Sequence, residues 1–148
     1  MAVTAKWFGN GAKNIANGTV TWKAAGGSAI KTALMTGYTP DQDTQEFWDD
    51  VSANEVPATG NYTAGGTAVT LSDPTYDSAT NETRLDATDA TWASSTISAT
   101  HAIVYHDSGT PSTSPLLGYV DFGQTESSSN GTFTVQWAAT GILKFTAL

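Results

Sequence analysis

The run Thr132-Phe133-Thr134-Val135-Gln136-Trp137 alternates polar and apolar side chains without a break. A backbone with a two-residue repeat puts Phe133, Val135 and Trp137 on one face and the two threonines and Gln136 on the other. The run therefore reads as a half-buried β-strand. The same period recurs along the chain. Val20 and Trp22 alternate with Thr19, Thr21 and Lys23; Ile30–Met35 reads as a strand, and Val69 and Leu71 alternate with threonine and serine. Arg84–Thr88 makes a short strand candidate, Ile97–His106 a long one, and Ile142–Ala147 closes the chain with Leu143 and Phe145 on one side. The unbroken apolar cluster Ala102-Ile103-Val104-Tyr105 predicts burial on both faces of its strand.

Gly26-Gly27, Gly65-Gly66, Ser108-Gly109, Asn130-Gly131 and the segment between Pro111 and Pro115 separate these runs. They supply the positive or fixed φ that bends require. Frequent short strands with such punctuation predict an all-β fold of antiparallel strands, a β-sandwich or jelly-roll-like arrangement, rather than βαβ units. One segment departs from the pattern. After Pro40, Asp41–Val51 places Phe47, Trp48 and Val51 at helical spacing, and Asp43 with Glu46 makes a capping-box-like pair. A single short helix near residues 43–52 is expected, docked on the sheets.

A chain of 148 residues is read as a single domain, 1–148. At this length folding buries roughly 70% of the surface the unfolded chain exposes. No cysteine is present, so neither disulfides nor thiolate metal ligands contribute. No apolar run approaches the ~20 residues of a membrane span, and the first residues lack the apolar stretch of a signal peptide. Four Asn-x-Ser/Thr matches, at Asn17, Asn61, Asn81 and Asn130, carry no weight without such a signal. The net charge is −8, and the six cations, Lys6, Lys13, Lys23, Lys31, Arg84 and Lys144, are scattered. Duplex binding needs clustered cations to displace counterions, so no nucleic-acid partner and no membrane partner are expected. Acidity of this kind serves solubility and self-repulsion.

Chemistry-bearing residues are few. Asp41, Asp43, Glu46, Asp49, Asp50 and Glu55 gather six of the fourteen carboxylates. A Ca²⁺ loop starting at Asp41 would need Gly at its sixth position and Glu at its twelfth, where Glu46 and Ser52 stand. Capping and solvated surface account for the cluster, and no cofactor is expected. Glycoside hydrolysis needs two carboxylates at a set separation, and the sequence fixes no such pair; no two carboxylates are expected to converge in a cleft. His101 and His106, five apart on one strand, fall on opposite faces and do not share a metal. His106-Asp107-Ser108-Gly109 holds the residue types of a serine triad but reads as a hairpin turn, and no Gly-x-Ser-x-Gly elbow is present. The expectation is a non-enzymatic chain. Of the five tryptophans most sit at core positions. Trp7, beside Gly9-Asn10-Gly11, together with Phe8 and Trp48, is the candidate interface.

Several segments carry a resemblance. They are Tyr38-Thr39-Pro40-Asp41-Gln42-Asp43 with Phe47-Trp48, then Tyr62-Thr63-Ala64-Gly65-Gly66, and Leu85-Asp86-Ala87 with Thr91-Trp92. Ala102–Tyr105, Ser114–Gly123, Gly131–Trp137 and Gly141-Ile142-Leu143 continue it over nearly the whole chain. In these the chain resembles a group of small tailed-bacteriophage virion structural proteins of the capsid decoration (cement) kind. The resemblance implies a location on the capsid exterior after synthesis in the bacterial host cytoplasm. It also implies the major capsid protein as partner and a small homo-oligomer, dimer or trimer. Tail, head–tail junction and fibre components are the alternatives within the virion, and a carbohydrate-binding β-sandwich module is the alternative that the tryptophan content raises.

Overall fold

The computed structural model describes residues 2–147. In chain order the strands are β1 (Ala2–Val3), β2 (Lys6–Trp7), β3 (Ile30–Met35), β4 (Thr67–Ala68), β5 (Thr75–Asp77), β6 (Glu82–Leu85), β7 (Ala90–His106), β8 (Leu116–Trp137) and β9 (Leu143–Thr146). One α-helix, α1 (Gly9–Ala16), follows β2. The fold is all-β and sandwich-like, with antiparallel pairings throughout except for the parallel pair β1–β8. The larger sheet runs β1-β8-β7-β3-β4 with β2 also on β8, and the smaller runs β5-β6-β9.

The long hairpin β7–β8 governs the architecture. Seventeen extended residues of β7 would span about 56 Å if straight. A 148-residue domain has a radius of gyration of only about 15 Å. The ribbon therefore bends, and the sequence supplies the bends. Ser94 and Asn130 both adopt left-handed φ (49° and 45°), and Gly123 has φ 74°. The β7–β8 register shifts at these places, between Trp92 and Ser95, Ser95 and Ile97, and Ala99 and His101. The N-terminal arm records the result: Val3 pairs with Trp137 and, three residues later, Lys6 pairs with Tyr119. The two ends of β8 thus lie side by side in facing layers, joined by residues 2–7.

Inside the fold-back lies the main core. Ala90, Trp92, Ile97, Ala99, Ala102 and Val104 of β7 meet Leu117, Val120, Phe133, Val135 and Trp137 of β8, with Leu85 and Leu143 from the smaller sheet. The opposite face of the β3–β7–β8 region is buried too, by Phe8, Tyr38, Trp48 and Val51 over Ile103, Tyr105, Leu116 and Tyr119. Ala102 to Tyr105 are each at most 2% exposed, so the two-faced burial read from their apolar run holds.

Three local expectations are corrected. Residues 43–52 form no α-helix; a 3₁₀ turn at Trp48–Asp50 lies within them and a second, Ser52–Asn54, follows. Their backbone is committed elsewhere: Leu116 N–H donates to Glu46 C=O, Trp48 N–H to Ser114 C=O, and Phe47 bridges Pro115. The capping carboxylates are Asp41, which accepts from the Asp43 and Thr44 amides, and Asp50, which accepts from Glu46 and Phe47; Asp43 is not the cap. The α-helix falls instead on Gly9–Ala16, where glycines and asparagines give poor intrinsic propensity. Packing overrides it. A Cβ on Gly11 would sit 2.5 Å from the Leu117 carbonyl oxygen, so glycine lets the helix backbone lie directly on β8. Finally, Thr19–Lys23 buries Val20 and Trp22 alternately but joins no ladder. The Val20 amide donates to Asn14 C=O at the end of α1, and Thr21 bonds Ser28 in both directions.

Candidate functional site

The three candidate interface residues separate on the fold. Phe8 is fully buried beneath α1, its amide donating to Leu117 C=O and its ring 5.2 Å from Tyr119. Trp48 is 7% exposed and stacks flat on Tyr105, with centroids 4.4 Å apart and planes 9° from parallel. Both belong to the second core, where little of either ring reaches solvent, because the sheet beneath them is apolar on that face too. Trp7 alone keeps a half-buried indole, stacked on Phe145 at 4.8 Å with Nε1–H donating to Lys144 C=O. Trp22, Trp92 and Trp137 are buried as well, so among the described residues no tryptophan platform faces solvent.

Beside the Trp48–Tyr105 stack opens a polar cleft of about 260 Å³, bounded by the 63–66 loop and the 107–115 hairpin connection. Lys31, Glu55, Tyr105 and Asp107 line it. Lys31 Nζ lies 2.7 Å from Asp107 Oδ2, and the Gly109 amide donates to Asp107 Oδ1. The Lys31 ammonium and the Gly109 amide hold the Asp107 carboxyl below the usual range. Glu55 is opposite in kind. Burial pushes its carboxyl up, against hydrogen bonds that Tyr62 O–H (2.8 Å) and Gly65 N–H (2.7 Å) donate to Oε1. Tyr62 oxygen in turn accepts from the Leu34 amide, and Tyr105 O–H donates to Gly65 C=O. Burial pushes both phenols up.

Two carboxylates with ionisation pushed apart therefore share one cleft, contrary to the sequence expectation, and acid–base catalysts use such pairs. Here the contacts tie each to the framework: Asp107 fixes the turn after β7, and Glu55 ties the 63–66 loop to β3 through Tyr62. Sequence spacing gave no hint of the pair, since Glu55 and Asp107 are brought together only by β3–β7 pairing. The remaining acids of the 41–55 cluster diverge, Asp41 and Asp50 into caps and Glu46 toward Lys13 at 3.9 Å. Among the described residues no three metal-ligating side chains gather.

The histidines lie apart. His101 is buried edge-on to Tyr38 at 5.3 Å, hydrogen-bonded through Nδ1 to Thr100 Oγ1, with Nε2 3.7 Å from Asp121. Burial lowers its pKa against the opposing pull of Asp121. His106 ends β7 with Nδ1 3.1 Å from Ala29 C=O. The residues after it form the nine-residue hairpin connection, where Ser108 and Ser114 hydroxyls bond each other and Thr110. No nucleophile–base relay arises there.

Four of the six cations are held in ion pairs: Lys13, Lys31, Arg84 with Asp77 and Glu82, and Lys144 with Glu82. That leaves an acidic surface of mixed hydroxyl and carboxylate character. No protein-family model, curated protein or solved structure matches the chain.

Proposed function

We propose that the chain is a non-enzymatic structural component of a tailed-bacteriophage virion: a capsid decoration protein that binds the major capsid protein on the outside of the head and reinforces it. One observation carries the reading. Most of the segments in which the chain resembles such proteins fall on the framework of the fold: Tyr38 and Trp48 in the second core, Tyr62–Gly66 on the loop tied by Glu55, and Ala102–Tyr105, Ser114–Gly123 and Gly131–Trp137 on the long hairpin, while Asp41–Asp43 lie exposed. A likeness carried mainly by framework segments suits a protein whose work is to be a rigid body.

The physical properties suit that work. Both faces of the central strands are buried, giving a stiff body. The surface is acidic and hydroxyl-rich, which keeps a protein soluble at high local concentration. On a shell with many equivalent sites, weak contacts repeated around each capsomer add through multivalency, so no exceptional anchor residue is needed.

Quantifying the protein against the major capsid protein in purified virions tests the proposal. Decoration predicts tens to hundreds of copies per particle, an order-of-magnitude figure set by the multivalent arrangement. A handful of copies would refute it and favour a tail, head–tail junction or fibre position.

A further inference from the structure

The β3–β7 ladder brings an amine and a carboxyl group together in the cleft beside Trp48. Lys31 lies opposite Tyr105, and the Asp107 amide donates to Ala29 C=O, so the pairing runs one residue past β7. Lys31 and Asp107 therefore project from one face of the sheet. Lys31 Nζ stands 2.7 Å from Asp107 Oδ2, a single C–O bond away from the carboxyl carbon.

Three features set this pair apart from the other lysine–carboxylate pairs. It is the more enclosed, with side chains 31% and 29% exposed, against 48% for Lys144 and 58% for Lys13 in theirs. The carboxyl group is held at its second oxygen by a backbone donor, Gly109 N–H at 2.9 Å from Oδ1. A third ionisable group, Glu55, lines the same cleft. Both hydrogen bonds that Glu55 accepts, from Tyr62 and Gly65, are at Oε1, which leaves Oε2 to exchange a proton. Burial of Glu55 suits it to carry one.

We propose that Lys31 and Asp107 are joined in the folded chain by an amide bond between Nζ and Cγ, closed by the protein's own residues. The ion pair already holds every atom of the amide and of one water. Lys31 passes a proton to Oδ2, and the neutral amine adds to Cγ. The charge that develops on Oδ1 meets the Gly109 N–H, which is fixed before the reaction. Glu55 takes a second proton from the nitrogen and returns its own to Oδ2. Oδ2 then leaves as water, the C=O bond re-forms at Oδ1, and the nitrogen keeps one hydrogen. No oxidant, metal or co-reactant enters. In free solution water opposes such a condensation, but two groups held in contact by a folded framework act at effective concentrations of roughly 10⁵ M and above. Once joined, Asp107 no longer titrates, so the acid-range behaviour of a free Asp107 carboxyl belongs to the unjoined chain. The bond clips β3 to the far end of β7, and the inference does not depend on a virion role.

Intact mass spectrometry of the purified, denatured full chain tests it. The parent should be lighter than its sequence by one water. Trypsin should fail to cut after Lys31 and should release residues 24–84 joined to residues 85–144. Lys31→Arg keeps the ion pair but removes the nucleophile, and it should have the full mass and give two separate peptides. Glu55→Gln keeps an acceptor for Tyr62 and Gly65 but cannot carry the proton; it should also keep the full mass, with a circular dichroism spectrum like the parent's. A parent of full mass cut normally after Lys31 would overturn the proposal. A missing water that persists in Lys31→Arg would overturn it as well, assigning the loss to a ring closed between Asp107 and the Ser108 amide. Complete joining in Glu55→Gln would overturn the role given to Glu55.

Discussion

Replacing Gly60 by alanine probes the bend of the long hairpin at its tightest contact. Gly60 has φ 53°, and a Cβ there would overlap the Ser94 carbonyl oxygen and lie 2.8 Å from its carbon. Ser94 is itself the left-handed residue at the β7 bend, and Thr59 Oγ1–H donates to Thr96 C=O beside it. Three effects combine. Left-handed φ costs an L-residue about 1–2 kcal/mol. Overpacking against backbone that cannot rotate away costs about 1–3 kcal/mol. Loss of the Thr59 hydrogen bond costs about 1 kcal/mol. The total is about 3–6 kcal/mol, a large fraction of the ~5–15 kcal/mol that holds a domain folded. At about 2 cal/mol/K per residue, 148 residues convert this to a fall in Tm of about 10–20 °C. Gly37 supplies the control: its φ is 58°, and nothing lies within 4 Å of its would-be Cβ. Gly37→Ala should carry only the backbone penalty, a fall of about 3–6 °C. Calorimetry of the two variants side by side decides the matter. Equal shifts would refute the reasoning, because they would mean the 59–62 turn does not rest on the Ser94 bulge.

Further outcomes follow from packing and ionisation. Phe8→Ala should lower stability by about 3–5 kcal/mol, as for a fully buried ring, and Trp7→Ala by only about 1–2 kcal/mol, since its indole is half-buried; urea titration giving the reverse order would contradict the placement of these rings. Glu55→Gln keeps an acceptor for Tyr62 and Gly65 but removes the buried charge. A carboxyl whose folded pKa is raised binds its proton more tightly when folded. Its contribution is present below the unfolded value of 4.5 and is lost as pH rises through the raised folded value. Parent protein should therefore lose Tm relative to Glu55→Gln on going from pH 4.5 upward toward neutrality, and parallel curves would sink the assignment. Asp107 and His101 act in the opposite sense: the first loses its contribution as pH falls through a carboxyl pKa held below 3.8, the second as pH falls from 6.5 through its lowered folded value.

Much of the framework was legible because alternation reports burial directly. Phe133, Val135 and Trp137 face the core as their period requires, and Ile30–Met35 forms the strand it spells. Burial is not pairing, however. Val20 and Trp22 alternate just as well and belong to no sheet, because the neighbouring backbone is satisfied by Asn14 and Ser28. Helix signals misled for a related reason. Asp41–Val51 has the composition of a capped helix, but its backbone bonds to residues 114–116 are long-range and leave no local trace. Gly9–Ala16 has poor local propensity and becomes helical because Gly11 can lie against Leu117. Asn130-Gly131 reads as a turn, and the positive φ is there, yet it bends a strand in mid-course rather than reversing the chain. The candidate site was the least legible part. An aromatic near a terminus does not announce which face it takes, so nothing local marks Phe8 as buried; Trp48 sits at an apolar position of its segment and packs in the same second core. The pairing of β1 and β2 with the two ends of β8 depends on where two-residue strands land, and no periodicity encodes that.

The fold-back of the β7–β8 hairpin underlies the two-layer body, and one contact reports on it. Phe122 and Phe133, both on β8, have ring centroids 6.4 Å apart. On an unbent strand the same rings would be about 36 Å apart. A nuclear Overhauser spectrum of the full chain should show cross-peaks between these two rings. Their absence, with both residues still in strand conformation, would contradict the folded-back hairpin.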